Sequence, residues 1–347
     1  MVAGGGTRDV QRRSRGRKGM RQAAVFMDAE RTREMWRCVC LYYVEDPQKK
    51  TEQIAELLFM SRSKVSRYLS LARTQGLIRV VVEPPRETVL ELQLMSRFRL
   101  RDARVVMTGE AVPDVLLPRF LGPAAAHCIE DIVHDNMSIG LAGGTTINET
   151  VRALRPAKLA NVDVYALVGP TTFDPTTSAA GLIRAMCDKY AAGYVRGHEL
   201  LQYPPKGRRD KQRILRISPY KEAYKAASNV DLALVGIGAL YTGSTLSRTL
   251  ETLRIHLKDA GLATGDIGYQ LFDADGKHIR SPLDDLIIAV PPRRLRHLHE
   301  SEQKRVIAVA GGHEKTKAIL GALRGRFMDM LVTDDRTARS LLSLSET

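Results

Sequence analysis

The sequence predicts a two-part α/β protein, with a winged helix-turn-helix at the N-terminus and a larger Rossmann-like α/β domain behind it. Three observations carry that prediction. The chain has 347 residues, which is room for two domains at roughly 150 residues each. Residues 50–78 hold two short amphipathic helices joined by a three-residue turn. Beyond residue 100, apolar runs alternate with helix-length stretches and several runs end in glycine. That is the pattern of a mostly parallel sheet covered on both faces.

Composition removes several classes. With 44% hydrophobic and 27% charged residues, the chain is not collagen, a coiled-coil rod or a disordered polymer. The longest apolar run, 232–240, suits a buried strand and falls far short of the roughly 18 residues of a membrane span. The opening MVAGGGTRDVQRRSRGRKGM carries charge without an apolar core, so it does not read as a secretory signal. Cys38, Cys40, Cys128 and Cys187 show neither CxxC nor metal-ligand spacing. That predicts a reducing cytoplasm and no metal site; the short apolar runs predict no membrane association, and no cofactor is expected.

Charge is unevenly placed. The chain carries +14, and residues 1–100 hold 20 Lys/Arg against 11 Asp/Glu, leaving only +5 for the other 247. A basic N-terminal third suggests a polyanion-binding module on a near-neutral body.

Taken in order, residues 1–22 are Gly- and Arg-rich with almost nothing to bury, and read as a disordered basic tail. Residues 23–86 form the winged helix-turn-helix. Its first helix carries Met27, Met35, Val39 and Tyr42 or Tyr43 on one face and stops at Asp46-Pro47. Thr51 caps the second helix, which turns Ile54, Ala55 and Leu58 inward. Ala55 is small enough for two helices to cross closely. Ser61 caps the third helix, with Val65, Tyr68 or Leu69, and Ala72 facing in. Phe59 occupies the turn where glycine is usual, because the backbone there takes a positive φ. Residues 77–82 read as the wing strand.

The outward face of the third helix is the candidate nucleic-acid reader. Arg62, Lys64 and Arg67 would contact phosphates or guanines, while Ser61, Ser63 and Ser66 would fix the helix on the backbone. The partner this implies is double-stranded operator DNA.

Residues 87–100 read as a linker helix with Leu90, Leu94 and Phe98 at fourfold spacing, and 101–347 as the effector domain. Its strands are predicted at 103–108, 137–142, 162–167, 231–237, 285–290, 305–309 and 330–333. Gly143, Gly144, Thr145 and Thr146 lie between a strand and a helix, an arrangement that offers backbone amides and hydroxyls to an anion. Gly169, Gly236 and Gly238 mark two more strand ends, where ligands collect in open α/β sheets. Asp266 and Asp273 flank a short strand, either as turn formers or as ligand contacts. Lys315 begins a helix, where its charge opposes the dipole unless an anion is present.

These residues resemble the SorC family of bacterial regulators across about residues 40–342. The resemblance rests on IAELLFMSRSKVSRYLSLARTQGLI, GLAGGTT, VGIGAL, GDIGYQLFDADG and VIAVAGGHEKTKAI with LVTDDRTARSLL, in that order. It implies an effector domain similar to glucosamine-6-phosphate deaminase and ribose-5-phosphate isomerase, and no catalytic residues. It also implies a phosphorylated sugar held at 143–146 and Lys315, and a dimer or tetramer whose grip on its operator the sugar controls. Two departures stand out. Gly169-Pro170 replaces the Gly-Gly that relatives tend to have, removing an N–H donor. The stretch 196–213 is unusually basic for a flap near a ligand. A sugar-phosphate enzyme with a DNA-binding appendage is the alternative, drawing on Asp266, His313 and Glu314; a ligand-independent architectural DNA binder is a third reading.

Overall fold

The computed structural model describes residues 30–345 apart from 46–47, 76, 79–83, 111, 170–177, 191–194, 200–204 and 257–261. The basic tail, the Asp46-Pro47 stop and nearly all of the expected wing strand lie outside the described residues. The chain divides into two compact units, Met1–Val81 and Val82–Thr347.

The first unit is helical. α1 covers residues 30–39 and passes into a π-helical turn at Cys40–Val44. α2 (Thr51–Leu57) and α3 (Arg62–Thr74) follow. Met35, Cys38, Val39, Ile54, Ala55, Val65, Tyr68, Leu69 and Ala72 close one small core. Ala55 lies in it between the helices, where a larger side chain would push them apart. The predicted cap of α2 is one residue off. Lys50 is the N-cap and its N–H donates to Gln53 Oε1 at 2.8 Å, so the reach-back of the third helical residue sets the start. Ser61 caps α3 as expected, accepting from the Lys64 N–H at 3.2 Å. Phe59 takes φ +53° in the turn, with its ring 98% exposed.

The second unit opens with α4 (Thr88–Phe98) and β1 (Asp102–Val106). Residues 87–100, read as a linker, lie inside this unit. Glu91 on α4 is buried, receives Arg86 through two hydrogen bonds of 3.0 and 2.6 Å, and accepts from the Val105 N–H. Leu90 and Leu94 enter the main core.

The sheet is then built by β2 (Ser138–Leu141), β3 (Val162–Ala166), β4 (Val195–His198), β5 (Leu232–Gly236), β9 (Arg305–Val309) and β10 (Met330–Asp334). Its order is β1-β10-β9-β5-β2-β3-β4, and every pairing is parallel. Helices α5 (Leu117–Glu130), α6 (Thr145–Ala153) and α7 (Ala179–Lys189) connect the early strands. After β4 come α8 (Arg208–Ile214) and α9 (Ser218–Ala227), and α10 (Thr245–Thr252) follows β5. α12 (Pro292–Glu300), α13 (Thr316–Arg324) and α14 (Asp335–Leu344) accompany the last two strands.

Two expectations are corrected here. The strand predicted at 285–290 is a short helix, α11 (Leu283–Leu286), followed by an extended segment with a single bridge, Val168 to Ala289. Ser281-Pro282 starts a helix, and Asp284 secures it by accepting from the Ser281 N–H at 2.7 Å. The single strand around 264–273 is a hairpin, β6 (Gly265–Ile267) and β7 (Gln270–Phe272), extended by β8 (His278–Ile279) into a small antiparallel sheet. Gly268 and Tyr269 both take positive φ, as a tight hairpin turn requires. β4 falls within the stretch read as a flap.

This topology singles out one place. From β2 the chain winds outward through β3 to β4, then returns to β5 and winds the other way through β9 to β10. The reversal lies between β2 and β5. Connections diverge there, and in such sheets a crevice at the strand C-termini of this point is the general ligand position. Among the described residues no helix is long and apolar enough to cross a membrane.

Candidate ligand crevice and nucleic-acid face

On α3, Arg62, Ser63, Ser66 and Arg67 are exposed, with Ser63 and Ser61 hydroxyls 3.0 Å apart. Arg62 reaches back to Glu52 at 2.9 Å, yet its side chain remains 72% exposed. Lys64 departs from expectation. Its ammonium pairs with Glu34 of α1 at 2.9 Å and lies over the Tyr68 ring, whose hydroxyl donates to the same carboxylate at 2.7 Å. Lys64 shares a helical face with Tyr68 four residues on, and Tyr68 points into the core, so the cation is carried toward α1. The bond from Tyr68 and then that from Lys64 hold the Glu34 carboxyl below the usual carboxylate range. The remaining face is an open groove of Ser63, Ser66, Arg67, Ser70, Leu71 and Thr74. Sequence reasoning passed over Ser70 and Thr74, which the i, i+4 and i+7 spacing from Arg67 and Ser66 would have included.

In the second unit the predicted residues separate into a cluster and two outliers. Gly144 is the N-cap of α6 at φ +124°, a left-handed conformation that suits glycine, and the space a Cβ would fill there is open. Thr145 is exposed and Thr146 buried. Among the described residues nothing accepts from their first-turn N–H groups, which leaves them available to an anion. Gly236 on β5 comes up beside the Gly143 carbonyl. Two residues on, Gly238 exchanges backbone hydrogen bonds of 2.9 and 3.0 Å with Asp266. The Asp266 carboxylate lies directly over Gly238, where any Cβ would collide with it.

Asp266 and Lys315 come from the segments after β5 and β9, and each lies within the field of the other's charge. Asp266 is 7% exposed and accepts from the Tyr269 N–H at 2.9 Å. Burial pushes its carboxyl up to about 6, while the Tyr269 N–H and the charge of Lys315 pull the other way. Half-buried Lys315 is pulled down by burial and held up by Asp266. Among the described residues its ammonium has no hydrogen-bond or ion-pair partner, and the Thr316 hydroxyl next to it is buried without one. Thr316, like Ser70 and Thr74, is a residue that sequence reasoning missed. A free cation, a carboxyl poised near neutrality and unfilled helix amides together suit a small molecule bearing an anionic group and hydroxyls.

The outliers have physical reasons. Asp273 follows β7 and lies against the C-terminal half of α13, whereas Lys315 is at that helix's start. Its carboxylate closes a turn by accepting from the Asp275 and Lys277 N–H groups at 3.0 and 2.8 Å, so Asp273 is corrected to a turn former. The Gly169 N–H donates to the Ile288 carbonyl at 2.8 Å and is not available to a ligand, and Pro170 lies outside the described residues. The Gly311-Gly312 turn before Lys315 is likewise engaged. Gly312 donates to Asp334 at 3.0 Å and to Thr337 at 2.8 Å, and His313 donates to Asp114 at 2.8 Å. His313 and Glu314 are exposed. Among the described residues no group of His, Cys, Asp and Glu is placed to hold a metal ion.

Residues 83–343 match the family described as "Putative sugar-binding domain". The chain is 28% identical over 333 residues to the "Deoxyribonucleoside regulator" of Bacillus subtilis (strain 168), covering 91% of this chain and 99% of that protein. It is 27% identical over 316 residues to the "Sorbitol operon regulator" of Klebsiella pneumoniae, covering 87% and 95%. The fold matches the crystal structure of the full-length sorbitol operon regulator SorC from Klebsiella pneumoniae with a TM-score of 0.65 at 22% identity, over 90% of this chain and 98% of that one.

Proposed function

We propose a function from one premise: the chain belongs to the SorC family of transcriptional regulators, whose larger part is a sugar-binding domain. On this reading it is a DNA-binding regulator of a carbohydrate operon, and a phosphorylated sugar in the strand-end crevice sets its affinity for the operator. α2 and α3 act as the helix-turn-helix of a winged domain made by residues 23–86. Arg62 and Arg67 contact phosphate or guanine, and Ser61, Ser63 and Ser66 fix the helix on the backbone. Lys64 acts one step back, bracing α3 against α1.

The observation that carries the effector half is the Lys315 ammonium, unpartnered among the described residues, which lies in the field of Asp266 and follows β9, the strand next to the reversal of strand order. A phosphate would be met by Lys315 and the α6 amides at 143–146, with sugar hydroxyls donating to Asp266. The strand ends at Gly236 and Gly238 shape the floor, and Gly169, its amide bound to the Ile288 carbonyl, takes no part in it. A switch needs the ligand to bind two states of the protein unequally, and a dimer or tetramer supplies such states. The sorbitol and deoxyribonucleoside regulators bear names that fit a cytoplasmic sugar-linked role. The domain's likeness to glucosamine-6-phosphate deaminase and ribose-5-phosphate isomerase belongs to the same reading. The enzyme alternative has no comparable support, since these relatives are named as regulators.

The test is fluorescence anisotropy on the DNA upstream of the protein's own gene, with a panel of sugar phosphates. Wild type should bind selectively and respond to one of them. Lys315→Ala should bind the DNA equally well and not respond. Binding without sequence preference, indifferent to every sugar phosphate, would overturn the reading.

A further inference from the structure

The second unit carries an unexplained concentration of charge. Between residues 206 and 225 there are eight Lys/Arg and two acids, a local +6, whereas the whole of 101–347 amounts to +5. The rest of the unit is therefore close to neutral, and its positive character comes from α8, α9 and the turn between them.

The structure accounts for part of this charge and leaves part free. Lys211 is turned inward, its ammonium donating to the Asp284 and Ile287 carbonyls at 2.8 and 2.6 Å, which fastens α8 to the segment after β8. Arg213 pairs with Asp210 at 3.3 Å. On α9, Lys221 and Lys225 lie one turn apart and are exposed, and the neighbouring acid, Glu222, accepts from Ser218. Tyr224, in the same turn, packs into the core and lies in the field of Arg293 and Arg294. Those two arginines are exposed in the first turn of α12, which contains no acid. Among the described residues none of these four cations has an ion-pair partner.

Four unpaired cations from two adjacent helices thus form one patch around Tyr224. Two of them are at a helix N-terminus, where the dipole opposes positive charge. Cations in such a place repel each other and the dipole, and a polyanion would relieve both. Among the described residues Ile217, one turn before Lys221, is the exposed large apolar side chain on this stretch of α9, and a single such residue falls short of the apolar core of a protein interface. Charge spread over exposed side chains with so little apolar surface fits a backbone of regularly spaced phosphates.

We propose that Lys221, Lys225, Arg293 and Arg294 form a second, sequence-independent contact for duplex DNA on the effector domain, separate from α3. Naming DNA as the polyanion rests on the regulator reading above; the patch itself does not.

The experiment uses the full chain and a random-sequence duplex, with affinity measured across a salt series. Each phosphate contact adds roughly 0.9 to the slope of log affinity against log salt, so K221A/K225A/R293A/R294A should lower that slope by about 3.6 and weaken binding at least about tenfold at low salt. K221Q/K225Q should give about half the change in slope, and it covers the case in which the fourfold variant is poorly folded. R119A/K158A/R184A, which removes exposed cations elsewhere on the same domain, should change the slope by less than about one. Equal slopes for wild type and both patch variants would overturn the proposal. So would a changed assembly state in sedimentation with the slope intact, which would make the face a subunit contact. If R62A/R67A left affinity unchanged while the patch variants lost it, the role of α3 would fail and this proposal would stand.

Discussion

Asp266→Asn removes one charge from the crevice and nearly nothing else, which makes its consequence calculable. The carboxyl has a pKa of about 6 in the folded protein against an ordinary 3.8. A raised carboxyl favours the protonated folded state. Its stabilising contribution is complete below pH 3.8 and is lost as pH rises through 6, leaving a constant deficit above that. Two pKa units at 1.36 kcal/mol each put the deficit at about 3 kcal/mol at pH 8. Asparagine can still accept from the Tyr269 N–H, but Lys315 loses its opposing charge, so the net gain at pH 8 is about 1–3 kcal/mol. At pH 4 the two proteins should be nearly equal. Urea unfolding of both at pH 4, 6 and 8 reads this directly, as a midpoint difference that opens with rising pH. If the Asp266→Asn variant were less stable than wild type at pH 8, with the gap closing in acid, the attraction of Lys315 and the bond from the Tyr269 N–H would outweigh burial and the reasoning would be refuted.

Other perturbations separate binding from architecture. Gly238→Ala drives a Cβ into the Asp266 carboxylate; it should cost about 1–3 kcal/mol in thermal unfolding and remove any stabilisation by sugar phosphates. Gly144→Ala imposes a left-handed backbone on alanine at about 1–2 kcal/mol, and calorimetric titration should show weakened ligand binding as well. Arg67→Ala should lower DNA affinity across sequences and reduce the salt slope by about one. Lys64→Ala should instead lower the melting temperature of the first unit and leave the slope nearly unchanged, because its charge is engaged by Glu34.

The sequence made some features legible because they are local. Alternating apolar runs revealed the strands, and Ser61 before a periodic segment revealed the start of α3, since both depend on neighbours a few residues away. Lys64 was misplaced for the complementary reason. Its partner, Glu34, is thirty residues distant, and nothing near Lys64 shows that α1 will come to lie against that face. The same limit explains Asp273. In the sequence it and Asp266 are equivalent acids around one strand, but the hairpin reverses between them. One carboxylate is carried onto Gly238 and the other to the far end of α13. The segment 285–290 failed differently, because an apolar run looks alike in a strand and in a buried helix with an extended exit; the Ser281-Pro282 start was the deciding signal.

Glycine at strand ends was the plainest signal in the larger unit and also the least discriminating one. Gly143, Gly169, Gly236 and Gly312 all follow strands, yet the amides of Gly169 and Gly312 are bound by the protein's own carbonyl, carboxylate and hydroxyl oxygens. Which loops stay open depends on strand order. Between β2 and β5 the connecting chain departs in opposite directions, and among the described residues no carboxylate is bound to the first-turn amides of α6. At β10, by contrast, α14 begins at once and brings Asp334 and Thr337 onto the adjacent Gly312. Among the described residues the amides of the loop at 143–146 are therefore left unbound for a topological reason, while the Asp334 and Asp114 carboxylates are spent on the Gly312 and His313 amides and Lys315 has no carboxylate in contact. A phosphate entering the crevice would meet a charge that the fold itself leaves unanswered.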